Sequence, residues 1–285
     1  MLKNYLIVTW RNLLRNRTFS FINITGLAVG LGCFLLISLY VLDELSYDRY
    51  YANAENIYRI NTDARWGGQE IRAAESSDMM GPLLKKDYPE IENFTRIYHH
   101  SGDSKLIRKG NEYITETRAA YVDSTFFNVF AFPAIEGNTK IALHDNHTVV
   151  ITKSAAERYF GSAGNATGKM LTVQENGQEV PYKVDAVIED IRDNTHFHFD
   201  VFFSMKGLDY KWNQIGNINF HTYLALRPDT DKSTLEKKFP EYIKNYFIPA
   251  LKEFQIYSLE DFEKAGNRLN FSLMPVTKIH LYSDR

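Results

Sequence analysis

Residues 26–48 read GLAVGLGCFLLISLYVLDELSYD: seventeen positions without a charge, then Asp43, Glu44 and Asp48 in quick succession. Followed backwards, the uncharged run reaches Thr18, with Arg17 as the nearest charge, so Thr18–Leu42 spans 25 residues rich in Leu, Ile, Val, Phe and Gly. About 20 apolar residues cross a bilayer as a helix, and lipid offers a bare backbone no hydrogen bonds, which leaves helix as the form for a single span. A soluble core helix is shorter and keeps a polar stripe; here Asn23, Thr25 and Ser38 stand isolated. A cleaved export signal would have a shorter apolar region and a small-residue cleavage site, and YVLDELSYD contains none. The segment therefore reads as a permanent transmembrane helix over 18–42.

Its flanks set its direction. Residues 1–17 carry Lys3, Arg11, Arg15 and Arg17 and no acid, and basic residues beside a span stay cytoplasmic. The N-terminus is expected inside and residues 43–285 outside. Within 1–17, Leu2, Leu6, Trp10, Leu13 and Leu14 recur at helical spacing, which predicts a basic amphipathic helix in the cytoplasmic interface with Trp10 at headgroup level. Gly26-x-x-x-Gly30 and Ala28-x-x-x-Gly32 would let another span approach closely.

The outer residues, 43–285, hold 29 Lys+Arg against 35 Asp+Glu, a formal charge of −6. Nucleic-acid affinity rests on neutralising phosphates, so no nucleic-acid partner is expected. The single cysteine, Cys33, lies in the span; disulfides and thiolate metal sites are excluded from the outer part. That part must hold by its core, to which a 14% aromatic content contributes heavily.

Local signals lay out the outer domain. NIYRIN (56–61) alternates like a strand, and Gly67–Gly68 marks a turn. SSDMMGPLLKKDYPEI (76–91) predicts a short helix stopped at Tyr88. ENFTRIYHH, SKLIRKG and EYITETRAAYVD (92–123) read as a meander with a turn at Gly110–Asn111. STFFNVFAF is a helical turn leading into a loop. HTVVIT is a strand whose Thr152 caps the helix KSAAERYF, stopped by Gly161. The clearest hairpin turns at Asn176–Gly177. FHFDVFFSM and FHTYLALR read as strands, DKSTLEKKFPEYIKNYF as an amphipathic helix interrupted at Pro240, and NFSLMPVTKIHLY as a closing extended segment. Strands and helices alternate without a regular βα period, which gives an α+β fold with mixed sheets.

The polar side chains form few constellations with a chemical reading. His196 and His198 in NTHFHFD would share one face of a strand, with Asp200 as a third metal ligand and a tethered hydrolase as the result; the spacing specifies no further ligand. The other notable histidines are the pair His99–His100. Ser154 lies beside Lys153 without S-x-x-K or G-x-S-x-G. FGSAGNATGKM (160–170) is glycine-rich, but a phosphate loop needs Ser or Thr where Met170 stands and a strand, not a helix, before it. Glu189, Asp190 and Asp193 cluster by a turn with no defined separation. No catalytic, cofactor-binding or metal residue is assigned.

Several stretches together carry a resemblance. NYLIVTWRNLLRNRTFSFINITGLAVGLGCFLLISLYVLDELSYDRYYANAENIYRI, YVDSTFFNVFAFPAIEGN, VVITKSAAERYFG, GNATGKML, YKVDAVIEDIRDNTHFHFDVFFS and TYLALRP stand in order along the chain. They resemble the landmarks of MacB/FtsX-type ABC transporter permeases of the Bacteroidetes kind, with a MacB-like periplasmic core domain over 43–285. The resemblance implies an inner-membrane permease subunit, non-catalytic itself, that passes the motion of a cytoplasmic ABC ATPase partner to the periplasm. There the domain would work on efflux or envelope substrates. It further implies a second permease copy or half, contact with membrane lipid, and further spans, usually three, after the core domain; this sequence stops at Arg285. A rival from another class is a membrane-tethered periplasmic binding or sensing domain without an ATPase.

Overall fold

The structure is a computed structural model that describes residues 2–100, 102–252 and 255–284. The side chains of Leu2 and Leu6, and Arg285, lie outside the described residues. Two compact units are present, Met1–Ser46 and Tyr47–Arg285.

The first unit is two helices, α1 (Leu2–Arg15) and α2 (Arg17–Leu45), separated at Asn16, whose φ of −109° and ψ of 55° break the helical run. By helical rise α2 is ~44 Å long. It continues beyond the charge-free run through Asp43 and Glu44, and Ser46 closes it by donating its amide (2.9 Å) and hydroxyl (2.6 Å) to the Asp43 carbonyl. None of its residues is buried. On α1, Tyr5, Trp10, Leu13 and Leu14 are likewise exposed. Water would penalise so much bare apolar surface.

The second unit carries one mixed sheet of thirteen strands: β1 (Ile57–Trp66), β2 (Gln69–Ala73), β3 (Ile91–Tyr98), β4 (Lys105–Lys109), β5 (Glu112–Glu116), β6 (Ala119–Val122), β7 (Ala134–Gly137), β8 (Thr148–Thr152), β9 (Met170–Glu175), β10 (Gln178–Ile188), β11 (Val201–Ser204), β12 (His221–Leu226) and β13 (Arg268–Pro275). The order is β13-β1-β12-β3-β6-β11-β8-β10-β9-β4-β5, with β2 on β1 and β7 on β10. The β8–β10 and β6–β11 pairs are parallel, and the other pairs are antiparallel. The fold is the α+β, mixed-sheet architecture that the sequence predicts.

Three buried clusters follow from strand alternation, which sends neighbouring side chains to opposite faces. On β11, Phe202 enters an aromatic cluster with Phe126, Phe130 and Phe197, while Val201 and Phe203 enter an aliphatic one with Val149, Ile151 and Tyr182. Tyr223 of β12 joins the aromatic cluster, and its neighbour Leu224 joins a third with Ile60, Leu84, Phe239 and Leu273. Strands buried on both faces read as continuous apolar runs, as TVVIT and VFFS do.

Helix α3 (Met80–Asp87) ends at Tyr88, as expected. Helix α4 (Phe126–Val129) is the expected aromatic turn. In α5 (Lys153–Phe160) the Thr152 hydroxyl accepts the Ala155 amide at 3.3 Å, and Gly161 stops the helix at φ 79°. At Asn176–Gly177 both residues have positive φ, 49° and 81°, as a tight hairpin turn requires.

Four expectations change. The 92–123 segment is not a meander: β3 pairs with β12 and β6, whereas the β4–β5 hairpin pairs with β9. Residues 192–200 form no strand, and the strand begins at Val201. The closing segment is extended only to Pro275, after which Val276–Lys278 and Ile279–Tyr282 are helical. The 231–247 helix is interrupted, but at Lys237–Lys238 rather than at Pro240, which sits in the first turn of the second piece; the pieces are Lys232–Glu236 and Phe239–Tyr242, followed by a π turn over Ile243–Phe247.

Candidate functional site

The second unit begins with Tyr47–Tyr51, the segment that follows the apolar helix in the chain. Asp48 is fully buried and adopts φ 57°, a left-handed conformation that Asp and Asn tolerate better than other non-glycine residues. The bend lets its amide donate to the Asn194 carbonyl at 3.0 Å. Its Oδ1 accepts the His196 amide at 3.3 Å and faces His196 Nδ1 at 2.8 Å. His196 Nε2 in turn lies 2.7 Å from the Tyr223 hydroxyl. A neutral imidazole that donates from Nδ1 and accepts at Nε2 satisfies both contacts. Burial pushes the Tyr223 hydroxyl well above its ordinary value, so its proton is retained for that bond.

Neighbouring residues bind the same segment down. Tyr50 packs under the Arg192 guanidinium, 5.0 Å from ring centroid to Cζ, and its hydroxyl lies 3.2 Å from that of Thr195. Tyr51 is buried edge-on against Phe130 and Phe132. The C-terminal segment reaches the same place: the His280 ring stacks on Tyr47 at 3.5 Å and 5°. Val276 and Ile279 bury in the cluster that holds Tyr51, Ala54 and Ile57. Behind them the buried Arg59 donates to Asn61 Oδ1 (3.0 Å) and Ser283 Oγ (2.6 Å). The first and last segments of this unit are thus fastened to each other and to strands β1 and β12.

The other sequence candidates do not gather. His198 is exposed. Asp200 is buried and accepts from Arg158 Nη2 at 2.8 Å, with Arg118 Nη2 at 3.3 Å. His196 is committed to Asp48 and Tyr223, so His196, His198 and Asp200 form no triad. The expected common face is lost because 192–200 is irregular. Among the described residues no group of three His, Cys, Asp or Glu is placed to hold a metal ion.

Ser154 donates its hydroxyl to Asp190 Oδ2 (2.7 Å) and its amide to Asp190 Oδ1 (2.8 Å), an arrangement that fastens the start of α5. In the glycine-rich loop the amides of Ala166 and Thr167, which a phosphate would need, are taken by Glu136 Oε2 at 3.1 Å each. His99 Nδ1 bonds to the Ala119 carbonyl at 2.9 Å, and His100 meets the Tyr98 ring edge.

Sequence reasoning singled out His196 but neither of its partners. Asp48 stood out only as a charge beyond the apolar run, and Tyr223 lay unmarked in a strand. No local spacing joins residues 148 positions apart.

Residues 20–242 match the family model of the MacB-like periplasmic core domain. The chain belongs to this family, whose domain is found in permease-type proteins. Among solved structures, a domain of a permease protein from Porphyromonas gingivalis superposes with a TM-score of 0.64 at 23% identity, over 80% of this chain and 92% of that one. The periplasmic region of MacB from Actinobacillus actinomycetemcomitans gives 0.50 at 16% identity, over 79% and 91%. At such identities these neighbours establish the fold. No curated protein matches the chain. An N-terminal apolar helix followed by a periplasmic-type domain fits a membrane-anchored protein.

Proposed function

We propose that the chain is the N-terminal part of an ABC transporter permease, anchored in the inner membrane by α2 with residues 1–17 in the cytoplasm and the domain in the periplasm. A separate cytoplasmic ATPase hydrolyses ATP, and the permease carries the resulting motion outward. The observation that carries this reading is the fastening of Tyr47–Tyr51 to His196, Tyr223 and His280. A helix that moves pulls on Tyr47 through the chain, and a buried, hydrogen-bonded attachment transmits displacement where a flexible linker would absorb it. The second segment at the site, residues 276–284, leads in the resembled family towards further spans, so both connections to the membrane would act on one place.

Charge supports the orientation: the basic residues of the first unit cluster at its start, and Asp43 and Glu44 lie at its far end. The chemistry of the domain supports a non-catalytic role, since its buried carboxylates are engaged structurally: Glu116 and Asp200 by Arg158, Asp48 by His196, and Asp78 by the amides of Asn213 and Gln214.

A Gly-Gly insertion between Ser46 and Tyr47 tests the relay. The domain should melt at an unchanged temperature while the gene ceases to complement its own deletion. Unimpaired complementation would contradict the relay.

A further inference from the structure

At the free end of β1 lies a cavity of about 400 Å³, within the range of small-molecule sites. Its floor is laid in cross-strand rows. Pairing places Ala64 between Ile71 of β2 and Leu269 of β13, and Thr62 beside Phe271, with Trp66 at the open end. The midline of the floor is therefore small and its flanks are large, which makes a furrow along β1. From Thr62 to Trp66 the furrow runs ~13 Å by strand rise. The roof is the Ile215–Ile218 segment together with Phe247 and Leu251. Phe247 closes the π turn Ile243–Phe247, a wide turn frequent at functional sites.

The lining contains no Asp, Glu, Lys, Arg or His. The charged neighbours on the same strands, Asp63 and Arg268, face the opposite side and line a separate recess with Glu70 and Arg72. A buried ion would find no counter-charge in the cavity, at a cost of several kcal/mol. The polar lining is three side chains: Thr62, already donating to the Glu75 carbonyl at 2.6 Å, Ser77, 3.5 Å from the Tyr242 hydroxyl, and Asn217. About 13 Å long along β1, uncharged and walled by aliphatic and aromatic groups, the space suits an extended chain of methylenes and not an ionic ligand.

We propose that this cavity binds a single unbranched hydrocarbon chain, the alkyl or acyl part of an amphiphile whose polar head stays at the Trp66 mouth. The assignment rests on the cavity alone and does not depend on an ATPase partner. Its source is either a bilayer lipid or an amphiphile free in solution.

The test uses the full chain in phosphatidylcholine nanodiscs, irradiated with a long-chain alkyl alcohol bearing a diazirine, followed by peptide mapping. Adducts are expected on the peptides holding Trp66–Ile71, Phe247–Leu251 and Leu269–Phe271, and excess unlabelled dodecanol should suppress them. Ala64→Ile suits a strand and fills the furrow; three added carbons in an apolar pocket should lower labelling about tenfold or more. Nanodiscs made with diazirine-bearing phosphatidylcholine, without free alcohol, separate the sources: adducts at the same peptides assign a bilayer lipid, and adducts with the alcohol alone assign a free amphiphile. Labelling confined to residues 2–45, or labelling of the cavity that dodecanol does not reduce, overturns the proposal. So does unchanged labelling in a folded Ala64→Ile variant. If that variant fails to fold, the competition result decides.

Discussion

Nδ1 of His196 lies 2.8 Å from Oδ1 of Asp48, with the aspartate fully buried and the histidine nearly so. This contact joins a residue three positions beyond the end of the apolar helix to a loop 148 positions away. Replacing Asp48 by Ala should destabilise the domain by about 1–3 kcal/mol, since it strands two buried donors on His196. Asp48→Asn keeps an acceptor and tolerates positive φ, so it should cost less. Denaturant melts of the three proteins check the order; equal stability of wild type and Asp48→Ala would contradict a structural contact.

A second prediction concerns Arg158. Its guanidinium bridges two buried carboxylates, Glu116 and Asp200, and thereby ties α5 to β5 and to the residue before β11. Tyr159 adds a hydrogen bond to Glu116 at 3.0 Å. Arg158→Met would leave the charges short of a partner, a loss of 3–5 kcal/mol for a deeply buried pair. The arginine is about one-third exposed, and Arg118 still reaches Asp200, so about 2 kcal/mol is expected. Calorimetry of the variant measures it; a change within error would show the cluster to be dispensable.

Acid sensitivity should centre on His221. Burial holds its imidazole below the ordinary value, against the opposing pull of Glu75, with Arg59 adding to the depression. The folded chain therefore resists a proton that the unfolded chain accepts. The stability contribution is complete above about pH 6.5 and is lost as pH falls below it. Melting temperature should drop between about pH 7.5 and 5.5, and His221→Gln should flatten that slope. A slope unaltered by the substitution would place the acid sensitivity elsewhere.

Much of the fold was legible because its signals are short-range. Thr152 and Gly161 bracket their helix through bonds to residues three and four positions away. Asn176–Gly177 fixes a hairpin by its own dihedral preferences. The pairing of β4 with β9 was illegible: its apolar residues, Leu106 and Ile107, specify a partner strand without saying which. The H-x-H spacing at His196 and His198 misled because alternation holds only in extended backbone, and Asp48 draws that loop into another shape. The site around Asp48 and His196 depends on residues from three distant segments, and nothing local in any of them announces the others.

A permease driven by a separate ATPase must hold that ATPase at the membrane. The most direct measurement is affinity purification of the natural full-length gene product from detergent-solubilised membranes, with mass spectrometry of what accompanies it and an assay of ATP turnover. A cytoplasmic ABC ATPase is expected in the eluate, with hydrolysis abolished when that partner is removed. A purified gene product with no ATPase and no turnover would contradict the proposed function and favour a tethered binding domain.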